Sequence, residues 1–207
     1  MRAVSLALLA TSPLLLPLAA GAENVSGKVS LDLGETSIAD VSPLVVYLSP
    51  LEGQGSHPIP PEVPVIQQKD ARFTPDFLLV AAGQTVRMPN NDVIIHNVFS
   101  FSKGNEFDLG LYPRGNSRKV KLRHPGVVRI YCSIHESMNG LIFVSPSPYF
   151  AKVKPSGSFE IAGVPPGKYL AKTWSAMLPE LVKRVLVEPG SAPVVNLTVT
   201  AGETGRH

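Results

Sequence analysis

The chain has 207 residues and a formal net charge of +3 at pH 7, with 20 prolines, 17 glycines and a single cysteine. One cysteine excludes an internal disulfide, and so small a net charge argues against a nucleic-acid partner. Frequent proline and glycine between short apolar runs, without a long helical periodicity after the first residues, predict an all-β protein.

The first predicted element is an export signal. Arg2 supplies a positive start, residues 4–18 are largely apolar, and small residues lead up to Ala22. This pattern predicts a signal peptide over residues 1–22, cleaved after Ala22, and therefore a periplasmic protein. A membrane anchor is the alternative, but Pro13 and Pro17 interrupt the run, which is also short for a bilayer span. We expect no membrane span after cleavage.

Short β-branched and aromatic runs follow, separated by turn residues, and each predicts a strand. In chain order they are Val25–Leu33, Leu44–Leu48, Val63–Gln67, Phe77–Val80, Thr85–Met88, Val93–Ser100, Arg118–Leu122, Val127–Tyr131, Gly140–Val144, Tyr149–Val153, Ser158–Ile161, Tyr169–Thr173, Val182–Val187 and Val194–Val199. Residues 49–64 are rich in Gly, Pro, Ser and Gln, which predicts a linker or surface loop, and the tail 202–207 is expected to fray. Many short strands at this spacing predict a sandwich or a barrel.

The cysteine opens a motif of candidate metal ligands. Cys132, His135 and Met138 fall at every third residue, and His96 lies upstream at the end of an apolar run. A thiolate, two imidazoles and a weak thioether form the ligand set of a type-1 copper site. The alternatives are a buried inert thiol, a hydrogen-bonded strand histidine at 96 and a core-filling methionine at 138. Zinc suits the set less well, because it prefers Cys, His and carboxylate ligands to a thioether.

This motif resembles the cupredoxins, with the short ligand loop of amicyanin. Asn97 follows the first histidine and Ser133 follows the cysteine, as in plastocyanin-like proteins, and the segments 83–86 and 89–92 match the approach to the first histidine. The resemblance implies a cupredoxin Greek-key β-sandwich over residues 62–146 that binds one copper ion. It also implies that Asn97 and Ser133 support the ligands by hydrogen bonds between the two ligand loops. Ile134 departs from the proline of many relatives.

A second resemblance is to the carboxypeptidase regulatory-like, or transthyretin-like, β-sandwich. It is carried by Gly27-Lys28-Val29 and Val45-Val46-Tyr47-Leu48 near the start, and by Gly157-Ser158-Phe159-Glu160-Ile161 and Val164-Pro165-Pro166-Gly167-Lys168-Tyr169 after the copper motif. It implies a smaller sandwich formed by residues 23–61 with 147–201, into which the copper domain is inserted. Two sequential domains remain the alternative. The whole combination resembles exported proteins labelled as methylamine utilisation proteins.

These resemblances imply an exported blue-copper protein that carries single electrons between redox partners and is not an enzyme. Enzymes of this class add a second copper centre of several histidines, whereas His57, His124 and His207 are scattered and expected at the surface. Periplasmic copper handling or sensing without electron transfer is the alternative function. A scaffold protein that uses the metal only for stability is a third hypothesis.

A basic strip and a lone tryptophan complete the candidate features. Lys119, Lys121 and Arg123 alternate with apolar residues, so they share one strand face. That face is either a solvated outer surface or a surface that steers an acidic redox partner. Trp174 is predicted to pack in the core of the regulatory-like sandwich. The sequence carries no signal for an oligomeric state.

Overall fold

The structure is a computed structural model that describes residues 21–51 and 57–201. Most of the predicted signal peptide and the tail 202–207 lie outside the described residues. The described residues form sixteen strands and no helix, which confirms the all-β prediction. The strands are β1 Glu23–Asp32, β2 Leu44–Pro50, β3 Gln67–Lys69, β4 Arg72–Thr74, β5 Phe77–Ala81, β6 Thr85–Pro89, β7 His96–Ser100, β8 Phe107–Tyr112, β9 Ser117–Lys121, β10 Gly126–Cys132, β11 His135–Ser145, β12 Phe150–Lys152, β13 Ser158–Val164, β14 Gly167–Ser175, β15 Val182–Val187 and β16 Val194–Thr200.

The strands from the two ends of the chain form one unit, here called the outer sandwich (β1, β2 and β12 to β16). One of its sheets has the order β13-β1-β16, and the other has the order β12-β2-β14-β15. Alternate residues of both sheets point into a shared apolar core that includes Val25, Leu48, Ile161, Tyr169 and Leu197. Two sheets that face each other across one core make a β-sandwich.

Two glycines of the second sequence motif are required by this packing. A side chain at Gly27 would overlap the carbonyl oxygen of Val195 and the ring of Phe159. Gly157 has a φ of +83°, which L side chains rarely adopt, and its missing side chain would meet the carbonyl oxygen of Val29. Close approach of β1, β13 and β16 therefore explains these glycines.

The middle of the chain forms a second unit, here called the central module (β3 to β11). Its main sheet has the order β5-β11-β10-β7-β8, and two-stranded sheets pair β3 with β4 and β6 with β9. Its core is separate from that of the outer sandwich and includes Val86, Val98, Ile130, Cys132 and Ile142. The strands β7, β10 and β11 lie side by side, so the residues at their ends can converge on one point.

Aromatic stacking joins the two units. Trp174 of β14 stacks on Phe143 of β11, with ring centroids 4.7 Å apart, and on Phe77 of β5, with ring centroids 5.8 Å apart. Val45 and Tyr47 of β2 belong to the same apolar cluster. Trp174 thus packs between the outer sandwich and the central module, rather than inside the sandwich core as predicted. The central module covers the side of β14 that faces away from the sandwich core, and Trp174 lies on that side.

Three further segments differ from the sequence prediction. The predicted strand Val63–Gln67 is a single bridge at Val65, and the strand pairing starts only at Gln67, in a β3–β4 hairpin that was not predicted. Strand β8 was also missed. Val93, Ile94 and Ile95, predicted as strand, form an exposed loop before His96. No helix long and apolar enough to cross a membrane occurs within residues 21–51 and 57–201.

Candidate metal centre

The hairpin between β10 and β11 positions two of the predicted ligands. Cys132 is the last residue of β10 and lies opposite His135, the first residue of β11, with only Ser133 and Ile134 in the turn between them. The strand register shifts between Tyr131 and Cys132. Such an irregularity changes the direction of a side chain, and Cys132 is buried.

Strand β7 brings His96 to the same point. It is joined to β10 through the pair Phe99 and Tyr131, and the imidazole of His96 is fully buried. The Nδ1 atom of His96 lies 3.2 Å from Nδ1 of His135 and 3.8 Å from Sγ of Cys132, and the His135 Nδ1 to Cys132 Sγ distance is 3.6 Å. Three donor atoms from three strands therefore form a nearly equilateral triangle.

The size of this triangle fits a metal ion. An ion at the centre of a triangle with edges of this length would lie about 2.0 Å from each corner, close to the bond lengths of imidazole nitrogen and thiolate sulfur to a first-row ion, which are roughly 2.0–2.3 Å. Within the described part of the chain, His96, Cys132 and His135 are the one group of three His, Cys, Asp or Glu residues close enough together to share a metal. The three donor atoms are therefore spaced so that they could bind a metal ion together.

The predicted axial residue belongs to the same cluster. Met138 lies three residues into β11, is 1% exposed and packs in the same buried cluster as Cys132. The structure thus brings His96, Cys132 and His135 together, and it places Met138 in the apolar cluster that contains Cys132.

Asp92, the last residue of the 89–92 segment, contacts His96, although no role was predicted for its carboxylate. The Oδ2 atom of Asp92 lies 2.9 Å from Nε2 of His96, on the side of the ring opposite the three donor atoms. Backbone hydrogen bonding from Ala71, followed by the hydrogen bond with His96, lowers the pKa of the Asp92 carboxyl to about 2. Asp92 is therefore an anion at neutral pH. The signal for it was its position four residues before His96.

A buried network holds the loop that precedes His96. The side-chain amide of Asn90 donates to the carbonyl oxygens of Ile94 and Tyr112, and its Oδ1 accepts the backbone N–H of Asp92. The Tyr112 hydroxyl donates to the carbonyl oxygen of Met88 at 3.0 Å. Burial raises the pKa of Tyr112 to about 12, so it stays neutral. Asn90 thus ties the loop backbone at Asp92 and Ile94 to Tyr112 of β8, the residue that pairs with His96.

Asn97 and Ser133 are placed differently from the expectation. The Asn97 side chain is buried, but its amide donates to Oδ1 of Asp108 on the neighbouring β8 at 2.6 Å, and its Oδ1 has no hydrogen-bond partner. Ser133 is exposed in the turn of the ligand hairpin. Pairing of β7 with β8 puts Asp108 within reach of Asn97, so the amide bonds along the sheet and not across to the ligand hairpin.

Among the described residues, His57 and His124 are not part of the donor triangle. His57 is half-buried against Tyr149, whose hydroxyl lies 3.2 Å from its Nδ1. Burial lowers the pKa of His57. His124 is exposed, as predicted, and His207 falls outside the described residues.

Comparison with known proteins gives structural neighbours only. No family model matches the sequence, and no curated protein sequence matches it. Among solved structures, the chain is similar to a purple cupredoxin from Nitrosopumilus maritimus, with 24% identity over 40% of this chain and 99% of that one and a TM-score of 0.36. It is also similar to a reduced amicyanin variant, with 18% identity over 42% of this chain and 86% of that one and a TM-score of 0.39. The likeness is one of fold and covers about two fifths of the chain.

Proposed function

We propose that this chain is an exported, mononuclear type-1 copper protein that carries single electrons between redox partners. His96, Cys132, His135 and Met138 are the proposed ligands. The observation that carries the proposal is the convergence of two imidazole nitrogens and one thiol sulfur, all within 4.8 Å of one another. Met138 is buried in the same apolar cluster as Cys132.

The donor set favours copper over other metals. Cysteine and methionine are soft ligands that suit Cu(I), while imidazole suits both Cu(I) and Cu(II). Zinc is served poorly by a thioether. Bound copper would supply a one-electron couple between Cu(II) and Cu(I).

The protein's part is to keep the ligands in one arrangement and to limit water. His96 and Cys132 are buried on paired strands, and Asn90 and Asp92 hold the loop that leads to His96. Ligands fixed in this way move little when the charge of the ion changes. His135 is half-buried at the start of β11, whereas His96 and Cys132 are buried, so the His135 imidazole is the proposed route for electrons between the site and the surface.

Exposed apolar side chains that neighbour the proposed ligands in the sequence or the strand register support docking of a partner. Exposed apolar side chains adjoin the ligands along the chain or across the β7–β8 register: Val93, Ile94, Ile95, Leu111 and Ile134. Contiguous exposed apolar groups are typical of interaction sites. Electron transfer through a dry contact at this surface is the function that the surface supports best.

We propose that the central module, with bounds 62–146, is the copper domain, inserted into a regulatory-like sandwich of residues 23–61 and 147–201. Support comes from strand pairing. β1 pairs with β13 and β16, and β2 pairs with β12 and β14, so neither pairs with a strand of the central module. Export to the periplasm through a signal peptide cleaved after Ala22 is part of the same proposal.

Substitution of Met138 by leucine tests the axial role. Leucine is similar in volume and apolar, so we expect the free energy of unfolding of the metal-free protein to fall by less than about 1.5 kcal/mol. Copper should still bind, but the reduction potential should rise, because losing a weak donor disfavours the more highly charged Cu(II). Voltammetry of wild type and Met138→Leu measures this. Equal potentials would show that Met138 only fills the core.

Electron-transfer rates should depend on salt if the basic strip steers an acidic partner. Lys119, Lys121 and Arg123 are exposed on or next to β9. With hexacyanoferrate as an anionic probe, we expect the rate of oxidation of the reduced protein to fall about three- to tenfold between low and physiological ionic strength. Changing all three residues to glutamine should remove most of this dependence, whereas Arg184→Gln, on exposed β15, should not. A rate indifferent to salt would identify the strip as a solvated face.

Stopped-flow kinetics distinguish an electron carrier from a copper-handling protein. A carrier should exchange electrons rapidly between its Cu(I) and Cu(II) forms and cycle reversibly without losing metal. A handling protein would instead exchange electrons slowly between its two copper forms and would release Cu(I) only slowly to an added chelator.

A further inference from the structure

We propose that Asp92 is a positioning residue of the metal centre, which fixes the tautomer of His96 and favours the higher charge state of a bound copper ion. This inference rests on the proposed copper function and concerns the reduction potential of that site. It rests on the contact between Asp92 and Nε2 of His96, the ring nitrogen that does not face the other proposed ligands.

The first step is the tautomer of His96. In a neutral imidazole one ring nitrogen carries hydrogen and the other carries a lone pair. Both oxygens of Asp92 accept backbone N–H groups, from Ala71 and Val93, so the carboxylate acts as an acceptor. The 2.9 Å contact between Oδ2 of Asp92 and Nε2 of His96 therefore places the hydrogen on Nε2. The lone pair then lies on Nδ1, which is the atom 3.2 Å from Nδ1 of His135 and 3.8 Å from Sγ of Cys132.

The second step is that Asp92 is itself held in place. Its Oδ2 also accepts the backbone N–H of Ala71 at 2.7 Å, and its Oδ1 accepts the backbone N–H of Val93 at 2.7 Å. Ala71 has a φ of 52° in the β3–β4 turn, a conformation that is uncommon for alanine. The side chain of Asp92 is only 7% exposed. Its orientation is thus fixed from three directions.

The third step is the effect of charge. A carboxylate bonded to a ligating imidazole raises the basicity of that ligand, and removing such a partner commonly lowers metal affinity about 10–100-fold. The negative charge interacts more strongly with Cu(II) than with Cu(I). Each tenfold loss of Cu(II) affinity relative to Cu(I) raises the reduction potential by about 59 mV.

The experiment compares Asp92→Asn with the matched control Asp108→Asn. Asp108 is a carboxylate on the neighbouring strand that is bonded to Asn97 and not to a ligand. We expect Asp92→Asn to lose about 10–100-fold in Cu(II) affinity and to raise the reduction potential, with a smaller change in Cu(I) affinity. Asp108→Asn should match the wild type in both. Equal affinities and potentials in the two variants would overturn the proposal.

A second measurement needs no variant and no metal. Nitrogen-resolved NMR of the metal-free wild-type protein should show hydrogen on Nε2 and a bare Nδ1 for His96. Hydrogen on Nδ1 would overturn the positioning role even if Asp92→Asn failed to fold. A wild-type protein that bound no copper would contradict the proposed function, and the tautomer would still decide the role of Asp92.

Discussion

Replacing Cys132 by serine is expected to lower the affinity for Cu(I) by at least about a thousandfold while leaving the fold intact. The thiolate is the strongest donor for Cu(I) in the set, and a serine hydroxyl stays protonated near neutral pH. Serine is close to cysteine in size, and its hydroxyl can bond to the imidazole of His96 or His135, which lie 3.8 and 3.6 Å from Sγ. Competition with a chromophoric Cu(I) chelator measures the affinity.

The control for this variant is His124→Ala, which removes an exposed imidazole away from the donor triangle. Its Cu(I) affinity should equal that of the wild type. If Cys132→Ser bound Cu(I) as tightly as the wild type, the metal would be held elsewhere. Thermal unfolding of the metal-free variants separates loss of a ligand from loss of the fold, since the serine variant should lose only about 1 kcal/mol.

Replacing Trp174 by alanine is expected to lower the free energy of unfolding of the metal-free protein by about 3 kcal/mol. The indole is half-buried and stacks on Phe77 and Phe143 with interplanar angles of 7° and 23°. Alanine would leave a cavity between the outer sandwich and the central module that neither unit can close alone. Urea unfolding followed by circular dichroism measures the loss.

Phe101→Ala provides the control for this prediction. That ring is 82% exposed at the end of β7, so its loss should change the free energy of unfolding by no more than about 0.5 kcal/mol. Equal stabilities for Trp174→Ala and Phe101→Ala would show that the aromatic stack contributes nothing to the joining of the two units. Phe143 and the proposed ligands His135 and Met138 share β11. Trp174→Ala therefore also reports whether the outer sandwich stiffens that strand.

The convergence of the proposed ligands could be predicted from the sequence because most of their geometry is local. Cys132 and His135 flank a two-residue hairpin turn, and Met138 lies three residues after His135 in β11. His96 required one long-range step, the antiparallel pairing of β7 with β10, which places the first residue of β7 near the last residue of β10. The all-β class followed from composition and turn residues in the same way.

Other features depend on contacts between segments distant in the sequence. The loop Val93–Ile95 is as apolar as a core strand, yet it is exposed, because Asn90 holds it outside the sheet through its bond to the Ile94 carbonyl. Asn97 bonds to Asp108 because β7 pairs with β8. Strand β8 was not predicted, because turn residues on both sides of it masked its alternating pattern. Trp174 packs where it does because the central module covers β14. The residue pattern of a single strand cannot indicate such a contact.

Visible absorption during titration of the purified wild-type protein with Cu(II) tests the central claim most directly. We predict an intense thiolate-to-copper band that saturates at one copper per chain, is bleached by a mild reductant and returns on reoxidation. The band should be lost in Cys132→Ser. Absence of the band in the wild type, or its survival in the serine variant, would contradict a copper centre built on Cys132.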